Sequence, residues 1–538
     1  MRSAFTILLF SPLFLFGQAP KLVVGIVVDQ MCYDYLYRFQ NHFGKNGFNR
    51  FLEKGVNCRN TNYNYVPTYT GPGHASIYTG TTPSNHGIVG NEWYDRQVKK
   101  PLNCVFDSQY KAIGNNSSNY GFVSPQRLET MTITDQLKIS YPNSKVYSIS
   151  IKDRSAVLPG GQLSDGTYWY DYNSGKFITS SFYTDSLPEW VLSFNDTKNA
   201  DSYLQDWNLL HSPSDYSTII DNSPYEVLIG GKTEPVFPYL FTKFAKDQYN
   251  QFVYSPFANS LLTDFASTLI QEEKLGETKE TNMLCISYST PDIVGHAFGP
   301  YSLEIEDLYA RLDQDLSNLF SSLDDQIGKR NYIVFLTADH AVVPVPSQLQ
   351  DLKLPGGYFS NKELIGSLQA RLVAQFSYPL IEFEENNNIY LSHYAMDSLK
   401  LNHETVERFV ADEVLKYSQI KCVAISSDIN RGVTDNLWIN MIEKGYSKDR
   451  SGDVIYLLKP GYLGMDKVSE ETQKGTSHGS AYNYDTHVPL LWYGKQWKKK
   501  ELFNPIDITD ISATLVHLMN LQRMGSMTGK PIEYLLGN

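Results

Sequence analysis

Five short runs are almost unbroken stretches of apolar residues: "LVVGIVV" from Leu22, "VYSISI" from Val146, "MLCISY" from Met283, "YIVFLT" from Tyr332 and "VPLLWYG" from Val488. A strand with one wet face alternates apolar and polar residues. One that does not alternate is covered on both faces, as in a largely parallel sheet sandwiched by helices. Between the runs lie helical patterns such as "SLEIEDLYARLDQDLSNLFSSLDD", in which Leu308, Leu312, Leu316, Leu319 and Leu323 fall on one face. The chain therefore reads as an α/β fold, a mostly parallel central sheet flanked by helices. Four of the runs end in polar residues: Asp29, then "KDR" with Lys152 and Arg154, then "STPDIVGH" with Asp292 and His296, then "ADH" with Asp339 and His340. Ligands of such sheets bind outside the carboxyl ends of the strands, so residues from 29 to 340 are expected to meet on one edge.

The rest of the 538 residues narrows what that edge serves. "MRSAFTILLFSPLFLFGQAP" has Arg2, a short apolar run and small residues near Gly17 and Ala19, which reads as a secretory signal peptide over residues 1–19. No later segment has the apolar length of a membrane helix, so a periplasmic or secreted protein is expected from residue 20 to 538. A net charge of -12, with "KKK" ending at Lys500 as the only basic run, argues against nucleic-acid binding. The five cysteines form no C-x-x-C pair and no metal framework, and Cys285 inside its apolar run reads as a small buried hydrophobe. Roughly 160–260 and 345–470 lack sustained periodicity and read as inserted cap regions.

Asp29, Asp292 and Asp339 with His296, His340 and His478 of "GTSHGS" make three carboxylates and three imidazoles. That mixed oxygen and nitrogen set suits zinc, and six ligands suit two ions. Each pair alone is weak, since an Asp after a strand is often a helix cap. In "PTYTGPGHASIYTG", Pro72 suits a helix start and the glycines admit close approach of backbone to a ligand. Thr70 would sit at the helix N-terminus, where free N–H groups favour an anion and a neighbouring metal would favour the alkoxide. Thr68 fits a capping or strand-end role.

These motifs, with "VVDQM", "GIVGNEWYD" carrying Asn91, and "SIKDR", resemble in order the alkaline phosphatase superfamily, in particular its phosphate-irrepressible (PafA-type) bacterial branch, across essentially the whole mature chain. The resemblance implies an alkaline-phosphatase-like fold, two Zn2+ per chain, a covalent phosphothreonine formed on Thr70, phosphate monoesters as substrates and a monomer. Carried over by position, Asp292, His296 and His478 hold one zinc, and Asp29, Asp339 and His340 hold the other beside Thr70. Asn91, Lys152 and Arg154 contact the nonbridging phosphoryl oxygens. His487 competes for the last ligand position, and the "SHGS" context favours His478. Sulfatases of the superfamily need a C/S-x-P-x-R site, which does not stand at Thr70. Nucleotide pyrophosphatases and phosphodiesterases share the threonine and asparagine but generally lack the K-x-R pair, which suits a dianionic monoester. A catalytically inactive phosphate-compound binding protein is the alternative outside the enzymes.

Overall fold

In a computed structural model the described residues are 19–537, apart from 219, 244–246, 433–435 and 470–472. The expected signal peptide therefore lies outside them, except for Ala19. The centre is a ten-stranded sheet. Its strands are β1 (Leu22–Val28), β2 (Val56–Cys58), β3 (Ala112–Ile113), β4 (Val146–Ser150) and β5 (Gly166–Asp171). The others are β6 (Lys176–Ser180), β7 (Asn282–Tyr288), β8 (Tyr332–Thr337), β9 (Leu490–Gly494) and β10 (Lys500–Leu502). They lie in the order β10-β2-β9-β8-β1-β7-β4-β5-β6-β3. Only β6 and β9 run against the rest.

The expected parallel core is present in β8-β1-β7-β4-β5, every residue of which is buried. Their ends are level: Val28 pairs with Tyr288, Val27 with Thr337 and Ser287 with Ser150. This register brings Asp29, Lys152, Asp292 and Asp339 to one edge. The run "VPLLWYG" departs from its parallel neighbours, because its strand is β9 and runs antiparallel to β8. The loop carrying His478 already sits at the carboxyl edge, so the strand that leaves it must run back across the sheet.

Four helices bear on the site: α1 (Thr70–Thr79), α2 (Asp153–Gly160), α3 (Thr290–Phe298) and α4 (Leu303–Gln326). Ser302 caps α4 by accepting the Ile305 N–H, and Leu308, Leu312, Leu316, Leu319 and Leu323 are all buried in the main core. The stretch from about 160 does not begin as an insertion, since β5 and β6 belong to the main sheet. The tyrosines and tryptophan of β5 are buried, but serines, aspartates and a glycine in and around these strands interrupt the apolar pattern that would have marked them.

Further on, Ile381–Glu385, Asn388–Leu391, Ile420–Ile425 and Val454–Leu458 form a separate antiparallel sheet. Helices Asn361–Phe376 and His403–Val414 cover it, and Leu364, Leu368, Ile389, Val406, Val410 and Val454 make a second core. Its first hairpin turns through Asn386 and Asn387, both at positive φ, a conformation asparagine tolerates well. All five cysteines are free thiols, and Cys285 is buried.

Candidate active site

Helix α1 brings its first residue, Thr70, to the carboxyl edge, with Tyr69 as the capping residue. Gly73 makes that approach possible: a Cβ there would lie 2.3 Å from the backbone oxygen of Asp339. Thr70 Oγ1 lies 3.5 Å from His340 Nε2. Asn91 accepts the Gly71 N–H at 2.7 Å through Oδ1, which leaves its NH2 as the end that can address an anion. Thr68 is taken up structurally, donating to the Ser480 carbonyl.

The six sequence-derived acids and imidazoles converge. Asp292 Oδ1 is 3.1 Å from His296 Nε2 and 3.6 Å from His478 Nε2. One group of possible metal ligands is thus Asp292, His296 and His478, and a second is Asp29, Asp292 and His340. The second contains Asp292 where Asp339 was expected. Asp339 is nonetheless adjacent, with Oδ2 3.7 Å from His340 Nε2, while Asp29 Oδ1 is 3.4 Å from the same nitrogen. Among the described residues both carboxylate oxygens are buried without a hydrogen-bond partner, His74 Nδ1 standing 3.3 Å from Asp339 Oδ2 but bonded to the Thr70 carbonyl.

Each imidazole is oriented by its other nitrogen. Nδ1 of His296 lies 2.7 Å from the Thr476 carbonyl, Nδ1 of His478 2.7 Å from the Thr68 carbonyl, and Nδ1 of His340 3.0 Å from the Ala341 carbonyl. A carbonyl only accepts, so Nδ1 carries a proton in each ring and Nε2 is the atom turned to the carboxylates, the orientation a metal ligand requires. Burial, together with His340 and His296, pushes His478 well below the usual imidazole range, which keeps it neutral. Burial, followed by Asp292 and Asp339, pushes Asp29 well above the carboxylate range. Burial also opposes ionisation of Asp292, but His296 and Lys152 outweigh it and hold the group well below that range.

Lys152 and Arg154 are not paired along an extended strand. β4 stops at Ser150, Lys152 caps α2, and Arg154 lies in the first helical turn beside Asp153. An acid at that position complements the helix dipole, which accounts for the early start. Lys152 Nζ sits between Asp29 Oδ2, at 2.7 Å, and Asp292 Oδ2. Among the described residues Arg154 makes only the long 3.9 Å pair with Asp153, and its Nε has no hydrogen-bond partner. Both side chains line one cavity of about 480 Å3, with Tyr172 and Tyr254.

His487 stands apart: its Nε2 meets the Arg59 carbonyl at 3.0 Å and its ring stacks on Tyr33. Two contributors were not singled out from sequence. Gln30 donates through its side-chain amide to Asp292 and through its backbone N–H to Asp339. His74 lies 2.9 Å from the Thr70 carbonyl and 3.3 Å from Asp339 Oδ2 through Nδ1, and 2.8 Å from the Ser287 hydroxyl through Nε2. A usable signal existed for each, since Gln30 follows Asp29 and His74 lies one helical turn after Thr70.

This sheet, with its ligand-bearing carboxyl edge, is an alkaline-phosphatase-like fold. A family model described as type I phosphodiesterase / nucleotide pyrophosphatase matches residues 23–481, and the chain belongs to that family. Alkaline phosphatase PafA of Elizabethkingia meningoseptica is 38% identical over 526 residues, covering 96% of this chain and 95% of that protein. Alkaline phosphatase PhoV of Synechococcus elongatus is 38% identical over 520 residues, covering 96% and 93%. A solved structure of wild-type PafA superposes with a TM-score of 0.91 at 38% identity, covering 96% of this chain and 99% of that one.

Proposed function

We propose that this chain is a two-zinc phosphatase that hydrolyses phosphate monoesters through a phosphothreonine at Thr70. A phosphomonoesterase hydrolase of the alkaline phosphatase kind follows from 38% identity to PafA and PhoV over nearly the whole chain. The observation that carries the finer reading is the inward set of His Nε2 atoms around buried carboxylate oxygens that lack partners, with Thr70 Oγ1 at its margin. Asp292, His296 and His478 would hold one ion, and Asp29, Asp339 and His340 the other. Such a pair supplies positive charge to the attacking and leaving oxygens and lowers the pKa of a bound hydroxyl or water.

Thr70 Oγ, once deprotonated, attacks phosphorus, and the ester oxygen leaves with the bonding electron pair. Water then cleaves the Thr70 O–P bond, releasing phosphate and restoring the hydroxyl. The Asn91 amide and the Arg154 guanidinium address the nonbridging oxygens, and Lys152 adds positive charge between the ligand groups. A phosphodiesterase is the second reading, favoured by the family model itself. Among the described residues no helix is long and apolar enough to cross a membrane, in keeping with a proposed periplasmic or secreted location.

The experiment combines elemental analysis with hydrolysis of p-nitrophenyl phosphate and bis-p-nitrophenyl phosphate. About two zinc ions per chain and a strong monoester preference are expected. Thr70→Ala should lower turnover by several orders of magnitude while Thr70→Ser keeps substantial activity. An active zinc-free enzyme, or one that prefers the diester, overturns the reading.

A further inference from the structure

A second cavity, of about 230 Å3, opens between the second core and the loop carrying His478. Tyr69, the residue before Thr70, and His478 form its boundary with the candidate active site, their rings edge to face at 5.3 Å. Its charged lining is all acidic, whereas in the cavity at Lys152 and Arg154 the two cations stand beside Asp153 and Asp247. Glu385, Asp466 and Asp485 line it, and among the described residues no Lys or Arg does. Asp485 is the most informative of the three. It is 1% exposed, its Oδ2 accepts the Ser480 N–H, and its Oδ1 has no partner among the described residues. A buried carboxylate oxygen facing no donor is costly unless something polar or cationic arrives to meet it. The aromatic surfaces of Tyr69, Tyr462 and Tyr484 also line the cavity, and such faces attract cations.

We infer that this cavity is the subsite for the leaving group and that it selects phosphate monoesters whose alcohol carries a cationic amine. The inference rests on the phosphatase reading above. In that reading the leaving oxygen departs on the side opposite Thr70, toward Asp292, His296 and His478, and His478 is the ligand that borders the cavity. The phosphoryl group would then meet the Lys152 and Arg154 cations and the amine the acidic cavity, which is electrostatic complementarity to a zwitterionic substrate. Burial pushes Glu385 up to about 7, so at alkaline pH it is ionised and able to pair with the amine. The cap hairpin supplies Glu385 and the short helix Asn483–Thr486 supplies Asp485, so the subsite exists only where these distant segments meet.

The test compares choline phosphate with 3,3-dimethylbutyl phosphate, its uncharged isostere, and with glucose 6-phosphate, on the zinc-loaded enzyme. Calorimetry of choline against 3,3-dimethylbutanol gives a binding readout independent of turnover. The expected kcat/KM ratio of choline phosphate to the isostere is about tenfold or more, for one charge-assisted contact in a sheltered site. E385Q and D485N should each bring the ratio toward one. A folding defect in either variant lowers both rates together and leaves the ratio in place, so the ratio reports the subsite. Equal rates for choline phosphate and its isostere, with p-nitrophenyl phosphate hydrolysed, overturn the subsite and leave the phosphatase reading intact. A preference for glucose 6-phosphate over choline phosphate overturns it as well. Choline binding without hydrolysis of any ester overturns the phosphatase reading and not the cation site.

Discussion

Lys152 and Arg154 show how much one residue's neighbours decide. Two positive residues separated by one position suggest a matched clamp, yet Lys152 is held by Asp29 and Asp292 while Arg154 lines the larger cavity with Asp153 at 3.9 Å. Their substitutions should therefore differ. Arg154→Ala is expected to lower monoester kcat/KM by roughly ten- to a hundredfold, the loss of one charge-assisted contact to a dianion, and diester kcat/KM much less. Lys152→Ala removes the cation shared by Asp29 and Asp292 and should depress both activities by a similar factor. Measuring both substrates in both variants decides the matter; equal monoester and diester losses in Arg154→Ala would assign the arginine to the scaffold. The spacing K-x-R was legible in the sequence. The partner of each side chain was not, because Asp29 and Asp292 are 123 and 140 positions away from Lys152.

At the scale of elements, the contact between α1 and the end of β8 fixes the distance from Thr70 to His340. Gly73 is the point of contact, and a Cβ there meets backbone atoms of Asp339, which cannot move aside as a flexible side chain would. Gly73→Ala should therefore shift α1 or the "ADH" segment, and a displacement near 1 Å at a reacting centre costs about a hundredfold in kcat. Zinc retention should fall with it while far-ultraviolet circular dichroism stays native. Gly366→Ala is the matched control, lying inside helix Asn361–Phe376 with nothing within 4 Å of the added carbon. It should stabilise by about 0.5–1 kcal/mol in chemical denaturation and leave turnover unchanged. Wild-type kinetics in Gly73→Ala would show that the approach of α1 is slack. The strand "VYSISI" was visible as a strand because its burial dictates its composition. Where it ends was not visible, since the switch to α2 depends on how Lys152 and Asp153 are received by their surroundings.

For the whole molecule, the large core has a cost in buried acids. Burial pushes Asp315 on α4 up to about 8 and Glu304 up to about 8, and Asp313 up to about 6. An acid whose folded pKa lies above its unfolded value binds more protons when folded. Its stabilising share is complete below the unfolded value, near 4, and is lost as pH rises through the folded value. Stability should therefore decline between about pH 4 and pH 8. Asp315→Asn should flatten that slope by up to about 1.4 kcal/mol per pH unit, one proton's worth. Melting temperatures of the zinc-loaded enzyme and of the variant across this range check it, and an unchanged slope would exclude Asp315 as a source. At this scale too the sequence and the tertiary structure divide the work. Burial on both faces leaves a local mark, an unbroken apolar run, so the sequence by itself determined the parallel core, the edge on which its polar ends gather and the set of residues from Asp29 to His478 that meet there. Direction and partnership leave no local mark. Only the tertiary structure decided that β9 runs backwards, that β5 and β6 join the sheet, that Lys152 turns to Asp29 and Asp292, and that the cap meets the His478 loop across an acidic cavity. Each of these depends on contacts between segments far apart in the chain, whose geometry no short stretch of residues records.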